Sequence, residues 1–71
     1  MMSAHSPNSK LRQVALRVAR LLAARPNLRQ TEIARALGEH DSTIMRALPV
    51  AEELGIRLTE DAAGRLALAE D

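Results

Sequence analysis

The sequence predicts a mainly α domain that ends in a small β-hairpin, an α+β chain of three helices and two strands. Apolar residues recur at helical spacing from Leu11 to Leu54. After Gly55 they switch to strict alternation, the pattern of half-buried strands. Pro26-Asn27, Gly38 and Gly55 act as stop signals that divide the helical part into three.

The chain of 71 residues allows one small domain. A domain of this size buries only about 60% of its unfolded surface, and a disulfide, a metal or a partner subunit commonly supplements its stability. With no cysteine, disulfides and thiolate zinc sites are excluded. Association with a second copy is the supplement to expect. Apolar residues make up 46% of the chain and none is aromatic, so the core is expected to be aliphatic. No apolar run approaches the roughly 18 residues of a membrane span, and no membrane partner is expected. "MMSAHSPNSK" lacks the basic and apolar regions of a signal peptide. Residues 1–9 read as a disordered leader, and a cytoplasmic location is expected.

Helix one is expected over about 10–24. Leu11, Val14, Ala15, Val18, Leu21 and Leu22 share one face, Ser9 or Asn8 can cap its start, and Pro26 ends it. Leu16 lies off that stripe, near Ala19 and Ala23, as either a single exposed leucine or the seam of a homodimer. Helix two, about 30–37, turns Ile33, Ala34 and Leu37 inward and stops at Gly38. Helix three, about 41–54, places Ile44, Ala47, Leu48, Ala51 and Leu54 on one face, with Asp41 as its expected N-cap. Pro49 interrupts it, so the helix either kinks or stops near Leu48. Ile56, Leu58, Leu66 and Leu68 alternate with Arg57, Thr59, Arg65 and Ala67, giving strands over about 56–60 and 65–69 around an "EDAAG" turn. A lone hairpin is marginal in water, so this one must pack on the helices.

Three helices followed by a hairpin is the winged helix-turn-helix layout, assigned here to residues 10–69. A three-residue turn, Glu39, His40 and Asp41, separates Gly38 from Ser42, as in domains whose second helix props the third into the major groove. The words "TEIARALG", "STIMRAL", "AEELGIRL" and "GRLAL" resemble the N-terminal domain of IclR-type bacterial transcriptional regulators, and related domains that precede WYL effector domains. The resemblance covers about Leu11 to Ala69. It implies sequence-specific binding of double-stranded DNA by a dimer, with the third helix in the groove and the wing along the backbone.

By position, the resemblance makes Ser42, Thr43, Met45 and Arg46 the groove-facing residues. Arg46 suits a guanine edge or a phosphate, and Ser42 and Thr43 suit phosphate. Thr43 is equally suited to packing, and Met45 either touches a thymine methyl or is plain surface. Arg57 and Arg65 flank the wing turn, as phosphate ligands or solvated strand residues. Arg12, Arg25, Arg29 and Arg35 are further phosphate candidates. Some positions depart from the relatives. Glu39 stands where they place an apolar plug, and is expected to be exposed or salt-bridged. Arg29 stands where they place a Thr or Ser N-cap, and the wing tip carries Glu60 and Asp61. No effector-binding domain is expected within these 71 residues.

Charge is divided along the chain. Up to Arg35 there are seven basic residues (Lys10, Arg12, Arg17, Arg20, Arg25, Arg29, Arg35) against Glu32; from Ala36 onward there are three (Arg46, Arg57, Arg65) against eight acids. The first half suits phosphate, and the second is on balance repelled by it. His5 and His40 lack a third ligand at metal spacing, and there is no glycine-rich phosphate loop or nucleophile elbow. No enzyme activity, metal or cofactor is expected. Two functions remain: a small DNA-binding transcriptional regulator, or a winged-helix protein-interaction module whose acidic wing, with Glu39, Asp41, Glu52 and Glu53, meets a basic protein partner.

Overall fold

The computed structural model describes residues 9–69. Residues 1–8 of the expected leader, the cap candidate Asn8, and Glu70 and Asp71 lie outside that range. In chain order the elements are α1 (Ser9–Ala24), β1 (Leu28–Arg29), α2 (Gln30–Leu37), α3 (Asp41–Glu53), β2 (Leu58–Glu60) and β3 (Arg65–Leu68). The arrangement is mainly helical with a small antiparallel sheet, a winged-helix-like α+β layout. Ser9, expected in the leader, is already helical.

The core forms where the apolar stripes of the three helices meet one strand. Val14, Ala15, Val18 and Leu22 of α1 pack with Ile33 and Ala34 of α2, with Ile44, Ala47, Val50 and Ala51 of α3, and with Leu66 of β3. The alanines at 15, 47 and 51 are fully or almost fully buried, which lets the axes of α1 and α3 approach closely. Leu11, Leu21, Leu28, Leu37, Leu48, Ile56, Leu58 and Leu68 close the rim. One expected core member is displaced: Leu54 is 36% exposed and Val50 is buried instead. The reason is that α3 stops at Glu53, so Leu54 is the C-cap residue and has left the helical face.

Two helix ends show how sequence sets this geometry. Gly38 takes φ 70°, a left-handed conformation that costs glycine little. The Glu39 N–H then reaches Ala34 O at 2.9 Å, and the Gly38 N–H reaches Arg35 O at 3.3 Å, the paired bonds of a Schellman stop. The same pair recurs after α3, from Ile56 N–H to Ala51 O at 2.9 Å and from Gly55 N–H to Glu52 O at 3.0 Å. Pro49 does not end α3, which runs on to Glu53. Proline removes the N–H that would meet the Met45 carbonyl, but both residues are exposed, so water can satisfy that oxygen.

The expected two-stranded hairpin is a three-stranded sheet, in the order β1-β3-β2, antiparallel throughout. The added strand has two residues, with Leu28 opposite Leu66 and Arg29 opposite Arg65. Asn27, at φ 67°, turns the chain out of α1, and its N–H meets Leu66 O at 2.9 Å. The wing strands are shorter than the expected 56–60 and 65–69, although the Ala69 N–H still donates to Arg57 O at 2.8 Å. No helix is long and apolar enough to cross a membrane among the described residues.

Candidate nucleic-acid interface

Alternation along α3 and along the sheet determines which charges face outward. On α3, Ser42, Met45, Arg46, Pro49, Glu52 and Glu53 are exposed, while Ile44, Ala47, Val50 and Ala51 face the core. At 3.6 residues per turn the exposed set forms one strip. It begins with the hydroxyl of Ser42, carries Met45 (58% exposed) and the Arg46 guanidinium in its middle, and turns acidic beyond Pro49. The Arg46 side chain has no hydrogen bond or ion pair with a described residue. Thr43 is half-buried at the edge of the strip, with its N–H donating to His40 O at 3.0 Å.

His40, not Asp41, is the N-cap residue of α3, and it provides no side-chain cap. Asp41 is the first helical residue, where its charge still favours the helix dipole. The expected three-residue turn is therefore Gly38, Glu39 and His40. Between α2 and the start of α3 lies an open cleft of about 610 Å³, lined in part by Thr31, Arg35, Asp41 and Ser42. Gln30 spans the two helices, with its amide 3.3 Å from Asp41 O.

Glu39 also lines this cleft, but not as a free acid. Its side chain is only 15% exposed, between Arg17 Nη1 at 3.4 Å and Lys10 Nζ at 3.7 Å. Arg17 also donates from Nη2 to Leu37 O at 3.0 Å, satisfying a carbonyl at the end of α2. A basic side chain of α1 thus ties down the turn, and of the two expectations for Glu39 the salt-bridged one holds. Nothing in the sequence marks Arg17 for this role, because its partners lie 20 and 22 residues away.

Arg29 precedes α2 as its N-cap residue without capping it, as expected of a side chain with no acceptor. Its own N–H is held by Glu32 Oε1 at 2.8 Å, the reciprocal half of a capping box. In the sheet, register and alternation place Arg29, Arg65 and Asp61 in one row across the outer face, with Thr59 and Ala67 in the next. Leu28, Leu66, Leu58 and Leu68 fill the opposite, inward face. Arg57 stands one step before β2 on the outer side and is exposed.

The wing tip explains its own acid. Asp61 Oδ1 accepts from the Ala63 N–H at 2.9 Å and the Arg65 N–H at 2.8 Å. Its Oδ2 lies 3.4 Å from Arg65 Nε. The Gly64 N–H donates to Asp61 O, and Gly64 takes φ 82°, completing a type I turn with a left-handed residue. The Arg65 N–H above all holds the Asp61 carboxyl below the usual value of 3.8; desolvation opposes it, and the Ala63 N–H with the Arg65 and Arg29 charges adds to it.

The structure therefore brings Ser42, Met45 and Arg46 together on α3, and Arg29 with Arg65 on the sheet. It sets Thr43 at the margin. Compared with models of protein families, with curated proteins and with solved structures, the chain shows no match.

Proposed function

We propose that the protein is a small sequence-specific DNA-binding transcriptional regulator, related to the IclR-type regulators its sequence resembles, with α3 entering the major groove. The observation that carries this reading is the exposed strip Ser42–Met45–Arg46, in which the Arg46 guanidinium has no partner among the described residues. A guanidinium held on a helix in this way suits bidentate recognition of guanine. The position of Glu39 adds support, since that carboxylate is already paired with Arg17 and Lys10 and leaves Asp41 as the one exposed acid in the first turn of α3. The sheet arginines and Arg35 supply phosphate contacts, which position the domain without reading bases.

The active form in this reading is a homodimer, joined along α1 and placing two α3 helices about 34 Å apart on a palindromic site. Leu16, 47% exposed, is the apolar centre of that seam. Arg12 and Arg20 lie one turn to either side of it and are exposed. A two-fold seam brings these like charges together, so dimerisation should strengthen as salt screens them. Sedimentation across a salt series checks this, and a monomer at every salt concentration removes the dimer from the proposal.

The test of the whole reading is selection of bound sequences from random duplex DNA at two salt concentrations. A consensus site is expected, with affinity falling steeply as salt rises. Arg46→Ala should cost about 1–3 kcal/mol on that site and relax one base position. An unenriched pool at low salt refutes the proposal.

One observation favours a second reading. Glu52 and Glu53 continue the strip that carries Arg46, so the far half of α3 would meet DNA with negative charge. In that case the same strip, with the acidic wing, is a contact surface for a basic protein. Recovery of one stoichiometric protein partner, with no nucleic acid, supports the protein-interaction module.

A further inference from the structure

We infer that Arg29 and Arg65 form a single clamp for one phosphate oxyanion on the outer face of the sheet, in which the phosphate displaces the Asp61 carboxylate from Arg65. The inference deepens the DNA reading where the phosphate belongs to a duplex, but the clamp itself stands on the sheet register.

Directly opposite residues of an antiparallel pair project from the same face with their Cβ atoms about 5 Å apart, and like charges there repel. Arg29 and Arg65 are such a pair, both exposed. Two guanidinia at this separation are well spaced to share one tetrahedral anion, each through its planar fork of N–H donors. The Arg29 guanidinium makes no hydrogen bond or ion pair with a described residue, and reaches Asp61 only through its charge. Arg65 meets Asp61 only through Nε, at 3.4 Å. Beside them lies an open cleft of about 290 Å³ lined by Asn27, Arg29, Glu32 and Arg65. Its volume is many times the ~30 Å³ share of one water molecule.

The counter-ions decide how the clamp behaves. Glu32 and Asp61 balance the two arginines, so the cleft carries no net excess of positive charge. Each acid, however, is anchored by backbone rather than by guanidinium. Glu32 holds the Arg29 N–H, and Asp61 Oδ1 holds the Ala63 and Arg65 N–H groups. Asp61 Oδ2 can give up Arg65 while the turn stays intact. The clamp is therefore weak toward an isolated anion and engages when a phosphate is delivered to it by a larger contact. Asp61 sets that threshold.

The test is a titration of the whole chain with inorganic phosphate, followed by NMR at the arginine Nε–Hε resonances. Asp61→Asn keeps an oxygen acceptor for the turn and removes the competing charge. It should raise phosphate affinity several-fold over the wild type. Adding Arg29→Gln or Arg65→Gln to that variant should abolish the gain. Equal affinity in wild type and Asp61→Asn, or shifts that persist without Arg29, overturns the clamp.

A second arm uses random-sequence duplex DNA. Arg29→Gln and Arg65→Gln should each lower the slope of log affinity against log salt by about one, and the double variant by about one rather than two. A loss of about two means separate phosphates and overturns the clamp. Phosphate binding without duplex binding would leave the clamp standing and sink the DNA reading. Duplex binding indifferent to Arg29 would do the reverse.

Discussion

Two acids stand beside arginines in this molecule, and they do different work. Glu39 in the turn before α3 is largely buried and is held by side chains of α1, more than twenty residues distant. Asp61 at the wing tip is 46% exposed and is held by the backbone of its own turn, two and four residues on. In sequence both look like negative charge placed where phosphate should come. In the fold, Glu39 joins two helices and Asp61 shapes one hairpin. The difference is between a contact that depends on tertiary structure and one that needs only local chain. The first should be the more costly to break.

Arg17→Ala attacks the first case. It removes the donor to Leu37 O and one of the two cations on Glu39, and should cost about 1–2 kcal/mol, read from denaturant unfolding. Glu39→Leu should cost less than about 1 kcal/mol, because an apolar side chain of similar size can fill a largely buried site and leaves the Arg17 bond to Leu37 O in place. An Arg17→Ala variant as stable as the wild type would show that the turn is held by packing alone. Asp61→Ala attacks the second case with a smaller, local effect. Amide exchange at Ala63 and Arg65 should accelerate, while the global unfolding midpoint hardly moves. Acid should act the same way. The Asp61 carboxyl is held below its usual value, so its contribution is present above that value and is lost as pH falls through the lowered one. Acidification that leaves exchange at Ala63 and Arg65 unchanged, relative to their intrinsic rates, contradicts this.

The same contrast explains what was legible from sequence. The stripe on α1 is a property of spacing, and every residue it nominated is buried or lies at the core rim. The turn at Gly64 likewise follows from local chemistry. β1 was not legible, because two residues carry no alternation, and the strand exists only where β3 passes beside it. The pairing of Arg29 with Arg65 was hidden for the same reason. Both were named as separate phosphate candidates, and only the register joins them. Pro49 left two paths open for α3. The helix runs through it because the missing N–H falls on the exposed side. Leu54 was misplaced by a single residue of helix length, since periodicity does not announce where a helix stops.

The position of β3 between its two neighbours has a mechanical consequence. A hairpin wing attached by one end can swing, and fixing it against a partner costs conformational entropy. Here the central strand of the sheet is also bonded to the segment that leads directly into α2. The wing therefore moves only if the entry to the helix-turn-helix moves with it. The outer face of the sheet and the exposed strip of α3 behave as two parts of one preorganised body, so a ligand that touches both meets a surface already in place.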